Sequence, residues 1–172
     1  MLTQPIKISE QLNAIGATLQ EKFDPMGAKV KECANLRHLW EEVSDMVAEK
    51  AGTPRVIVCF GGSQIRPGYY VQREDRTWIV TVMRGHGFNA PGMARKGPAG
   101  ELPFTDVLED VRDAVRRMLG ISEEPVAYRG IKPLPGVATP GQANTFLDAF
   151  TVEFTTANDI PDYGLVDPAQ VP

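Results

Sequence analysis

Soft metal ligands are scarce: the chain has two cysteines and two histidines in 172 residues. Cys33 and Cys59 are too few for a disulfide framework. Cys59 lies inside an apolar run, which reads as a buried free thiol and fits a reducing cytoplasm. With His38 and His86 these residues are spread over different expected elements, so no set of three or four ligands stands at metal-binding spacing. Cys33 with His38 as nucleophile and base would lack a third group to orient them. No run of 18 apolar residues occurs, and the N-terminus lacks a basic stretch leading into an apolar one. The expectation is a cytoplasmic product with no membrane association. Strong positive charge is also missing: the formal net charge of −4 argues against a dedicated nucleic-acid binder.

Phosphate-binding loops are wanting as well. Gly61-Gly62-Ser63 follows a strand pattern, but Pro67 and Gly68 stand where a helix N-terminus would have to form, so these residues read as a strand-end turn. Gly92 to Gly97 has P-loop spacing with Pro98 in place of the required lysine. Glu41-Glu42 and Glu123-Glu124 read as solvated faces. No acid, base and nucleophile come together, no cofactor is implied, and the reading is that of a non-enzyme.

What the chain does have is clear periodicity. Phe104 to Gly120 is the strongest helix, with Phe104, Val107, Leu108, Val111, Val115, Met118 and Leu119 on one face. Asp106, Glu109 and Asp110 crowd its start and Arg116 and Arg117 its end, as the helix dipole favours. Thr105 is its expected cap and Gly120 its stop. A first helix spans Pro5 to Phe23 with the stripe Ile8, Leu12, Ile15, Leu19 and Phe23, leaving Gln11 off the stripe. Gly16 weakens it by about 1 kcal/mol relative to alanine. A short edge strand near Val30 precedes a helix from Leu36 to Lys50, capped by Asn35, with Leu39, Trp40, Val43 and Val47 on one side.

Arg55 to Phe60 is a continuous apolar run and reads as a buried strand. Tyr69 to Arg73 and Arg76 to Met83 read most simply as a hairpin turning at Glu74-Asp75, or else as one long bent strand. Val126 to Ile131 and Asn144 to Thr156 complete the strands. The expected core is Val56, Val58, Trp78, Val80, Val107, Val111, Val115, Phe150 and Phe154. The fold class is α+β, a mixed or antiparallel sheet of four to five strands with two main helices on one face. Residues 1–157 form the domain and 158–172 an extended C-terminal arm.

Residues 84–103 form a long glycine-rich loop without periodicity, and loops of that length are generally functional. Arg84, His86, Arg95 and Lys96 make it basic, while Phe88 and Met93 favour a subunit contact. With Ile160 and Tyr163 of the arm, these are the candidate interface residues.

The order of these elements resembles the tail terminator proteins (tail completion, or tail-to-head joining) of tailed bacteriophages. The resemblance rests on a leading amphipathic helix, the strand Pro54 to Phe60 closed by glycines, the aromatic-led strand Trp78 to Val82, a glycine-rich loop, the helix opening at Phe104, and the closing strand Phe146 to Phe154. It implies a structural virion protein, assembled in the host cytoplasm, that forms a homo-hexameric ring in the tail or neck. Such a ring caps the tail tube protein, stops polymerisation and meets the head-tail connector, and in contractile tails the sheath, while DNA passes through its lumen without sequence-specific binding. Two alternatives remain open: a head-completion or neck protein of related fold, and a small nucleic-acid-binding domain that stacks bases on Tyr69, Tyr70 and Trp78.

Overall fold

A computed structural model describes residues 6–33, 35–49, 54–66, 72–85, 104–118, 125–134 and 147–160. Their elements run α1 (Ile8–Phe23), β1 (Lys29–Cys33), α2 (Leu36–Glu49), β2 (Arg55–Arg66), β3 (Gln72–Gly85), α3 (Phe104–Arg116), β4 (Ala127–Pro133) and β5 (Leu147–Ile160). The strands form one mixed sheet in the order β1-β2-β3-β5-β4. β1 runs parallel to β2, and the other neighbours are antiparallel. The α+β class and the five strands are as the sequence implies.

Why β2 is apolar without a break follows from where the helices lie. Val56 and Val58 point into a core shared with α1 and α3, whereas Ile57 and Cys59 join a second cluster with Leu39 and Val43 of α2. A strand covered on both faces cannot alternate apolar with polar. β3 repeats this arrangement, with Trp78, Val80 and Val82 on the α1–α3 side and Met83 on the α2 side. Of the expected core, Val56, Val58, Trp78, Val80, Val107, Val111, Val115 and Phe154 are buried, and Phe150 packs against them half-buried.

Several local expectations change. Of the two readings of Tyr69 to Met83, the single long strand holds from Gln72: Glu74 and Asp75 make no turn and lie inside β3, and the hairpin joins β3 to β2, whose far end pairs Arg66 with Arg73. Gly61-Gly62-Ser63 does not end a strand either. The chain bulges between Phe60 and Gly62 and continues to Arg66, with Gly62 at φ 112°, a conformation that glycine tolerates and other residues resist. The bulge reverses the facing of β2. Before it Phe60 shares a face with Trp78; after it Ser63 and Ile65 share that face with Arg76 and Glu74.

Helix α3 starts at Phe104, so Thr105 sits within its first turn rather than capping it; Gly120 lies outside the described residues. Asn35 does cap α2, its Oδ1 accepting from the backbone N–H of Arg37 at 3.0 Å and of His38 at 3.2 Å. Trp40, expected on the apolar side of α2, is instead 42% exposed. Gly16 is buried because α1 crosses β1 there, and a Cβ would run into the flexible carboxylate end of Glu32.

Val111 is fully buried at the middle of α3. Val111→Asp should cost several kcal/mol, since a carboxylate without a partner enters the core. The expected outcome is loss of the cooperative thermal transition by circular dichroism, whereas Asp106→Asn on the exposed side should melt within a few degrees of the parent.

Candidate functional site

The described residues concentrate their buried polar chemistry at one end of the sheet, where α1 begins. Arg76 of β3 is 6% exposed and makes three contacts. Its Nε donates to Glu74 Oε2 at 2.7 Å, and its Nη1 donates to the carbonyl of Ile6 and to Gln11 Oε1, both at 2.6 Å. Gln11 Nε2 in turn donates to Asn158 Oδ1 at 2.7 Å. Next along β5, Thr156 Oγ1 accepts from the indole of Trp78 at 2.9 Å. One chain of contacts therefore joins the start of α1 to β3 and β5.

Sequence reasoning missed this cluster for two reasons. Gln11 is polar and so reads as off the stripe of α1, yet it is wholly buried. The only sequence signal is its position, one helical turn before Ile15 and two before Leu19. Asn158 opens the expected arm, but β5 runs on to Ile160, pairing Asn158 with Glu74 and Ile160 with Gln72. The domain thus includes three residues beyond 157, and residues 161–172 lie outside those described.

Of the candidate interface residues, Arg84 is corrected. It belongs to β3, opposite Asp148 of β5, and is 4% exposed, so it is no part of a surface loop. Ile160 is half-buried at the end of β5. His86, Phe88, Met93, Arg95, Lys96 and Tyr163 lie outside the described residues. Trp78 is inaccessible, which removes it as a base-stacking platform; its ring instead packs on Phe60 with centroids 5.4 Å apart. Tyr69 and Tyr70 are likewise outside the described set.

The cysteines are brought together although the sequence separates them. Cys33 and Cys59 are register partners on β1 and β2, both buried and both free thiols. Burial is the main cause that pushes the Cys33 thiol upward, with the Glu42 carboxylate second; burial, then Cys33 itself, pushes Cys59 up to about 12. His38 is exposed in the first turn of α2. Among the described residues no group of three His, Cys, Asp or Glu side chains is placed to hold a metal ion. No described helix is long and apolar enough to cross a membrane.

On the outer surface of the helices an open groove of about 600 Å³ separates α1 from α3, lined by Lys22, Asp110, Asp113 and Arg117 among others. Lys22 Nζ bridges it to Asp110 at 3.1 Å. The acids of α3 are therefore partly used within the chain. Arg112 meets Asp113 at 3.0 Å and Glu109 at 3.9 Å, and that guanidinium holds the Asp113 carboxyl below its usual range. These are solvated pairs of small energetic weight.

The sheet edges are more informative. β1 carries Lys29 and Lys31, and β4 carries Lys132, Pro133 and a bulge at Gly130, all features that blunt an edge against pairing. β2 differs. β1 pairs with it only from Arg55 to Cys59, so among the described residues Gly61 to Ile65 have no strand on their outer side. Ile65, in that stretch, is 60% exposed.

No protein-family model matches the chain, and no curated protein sequence matches it.

The Gln11–Asn158 contact gives a direct test of where the domain ends. A chain ending at Ala157 should be less stable than one ending at Ile160 by about 1–3 kcal/mol, the cost of leaving buried Gln11 without its acceptor. Urea unfolding of the two truncations checks this, and Asn158→Ala in the full chain should reproduce most of the difference.

Proposed function

We propose that this chain is a ring-forming structural protein of a phage tail, a tail terminator that caps the tube and joins it to the head-side connector. What supports the reading is the order of elements on which the resemblance rests: a leading helix, the strand from Arg55, the strand holding Trp78 to Val82, the helix from Phe104 and a closing strand through Phe154. The observation that carries it furthest is the outer part of β2. A ring of identical subunits needs two different complementary patches on each protomer. Gly61 to Ile65 offers one of them, a short strand edge with an exposed apolar side chain beside otherwise blunted edges. In this reading the neighbour covers Ile65, and residues 86–103 and 161–172 supply further contacts.

Gel filtration with multi-angle scattering, followed by negative-stain imaging, is the test. The wild-type chain should form a ring, alone or on purified tail tubes. Ile65→Asp should leave the melting temperature within a few degrees and shift the population to monomer. A wild-type protein that stays monomeric at high concentration and beside tail tubes overturns the proposal. Rings that persist in Ile65→Asp overturn the placement of the contact while leaving ring formation standing.

A further inference from the structure

Cys33 closes β1, the five-residue edge strand, and is the register partner of Cys59 in the buried first half of β2. Both thiols are buried and free, Cys33 at 5% exposure and Cys59 at 0%. They share an apolar cluster with Leu39 and Val43 of α2 and Ile57 and Met83 of the sheet, with Glu42 and Lys31 near Cys33. Neighbouring strands lie about 4.8 Å apart, within the roughly 4.4–6.8 Å between Cα atoms that a disulfide accepts. The Cβ atoms must draw closer, to about 3.5–4.5 Å. Cys33 is the residue able to yield, being the last of a strand that, among the described residues, is paired on one side.

We propose that Cys33 and Cys59 form a reversible redox clamp, an intramolecular disulfide that fastens the edge strand β1, and with it α2, to the centre of the sheet. The oxidant is a hydroperoxide. Cys33, as thiolate, attacks one oxygen of the O–O bond; the other oxygen leaves and takes up a proton, and Cys33 becomes a sulfenic acid. The Cys59 sulfur then loses its proton and attacks the Cys33 sulfur, the S–O bond breaks, and the oxygen departs as water. With hydrogen peroxide, two thiols and one peroxide give one disulfide and two waters, two electrons passing from sulfur to oxygen.

The order of roles follows from the surroundings. Cys33 ends the edge strand and keeps 5% exposure where Cys59 has none; burial, the largest cause for both thiols, pushes Cys59 up to about 12. Cys33 is therefore the attacking thiol and Cys59 the resolving one. Both are shielded, so the reaction is slower than at a dedicated peroxide sensor. The bridge closes a loop that contains all of α2, which restricts the unfolded chain.

The test treats the folded, reduced protein with hydrogen peroxide, then denatures and alkylates it. The expected product is a monomer lighter by two hydrogen atoms, resistant to alkylation until reduced, with one linked peptide pair carrying Cys33 and Cys59. Its melting temperature should rise by on the order of 5 °C and fall back with dithiothreitol. Cys59→Ser should halt at a Cys33 sulfenic acid that dimedone captures, and Cys33→Ser should react far more slowly than wild type. The idea fails if folded protein keeps both thiols open to alkylation while urea-unfolded protein forms the bridge. It fails equally if the products are sulfinic acid or disulfide-linked dimers, or if Cys33→Ser reacts as fast as wild type.

Discussion

The indole of Trp78 lies on the central strand, level with Phe60 on one side and Phe154 on the other, and its N–H is bonded to Thr156. Those relations couple three strands at one point. A tryptophan this deep is tolerated only if its N–H finds an acceptor, and the acceptor here is two residues along β5 from the aromatic partner. The register of β3 against β5 and the position of the ring therefore imply one another. From this point outward the helix-side core follows: Val80 and Val82 toward one end of β3, Val152 beside them on β5, and Ile15, Leu19, Val111 and Val115 from the two helices above.

The parts of this fold legible in the sequence are those where one physical signal dominates. The stripe of α3 and the unbroken apolar run of β2 could be read directly, because burial on one face or on both leaves its own period. The parts that were not legible are those where two signals compete. Glycines at 61 and 62 look like a strand end, yet here they make a bulge that turns the strand over and lets it continue. Glu74 and Asp75 look like a turn because acids are poor strand formers; in the fold Glu74 accepts from Arg76 and Asp75 from Arg66, so the strand passes through them. Gln11 and Asn158 look like surface because each is polar, and their contact across the fold, with Arg76 donating to Gln11, offsets that cost. Trp40 errs the other way, an aromatic at an apolar position of α2 that nothing described covers.

Buried arginines complete the account of why the strands do not slide. Arg76 and Arg84 stand on the same face of β3 at the two ends of the apolar run Trp78, Val80, Val82, and both are buried. Arg55 of β2 is buried on the opposite face, where its Nη1 reaches Glu42 of α2 at 3.3 Å. A slip of two residues would preserve the alternation of faces, so hydrophobic patterning alone resists it weakly. It would, however, carry a guanidinium into the space of Trp78 or Val82, away from Gln11 and the Ile6 carbonyl, and a buried charge stripped of its partners costs several kcal/mol. A buried ion pair contributes little net stability against an apolar replacement of the same shape, so stability alone does not account for these pairs. Register does. For a protein read as a ring subunit that distinction matters, because the outer stretch of β2 presents Ile65 to a neighbour only if β2 and β3 hold their pairing through the bulge.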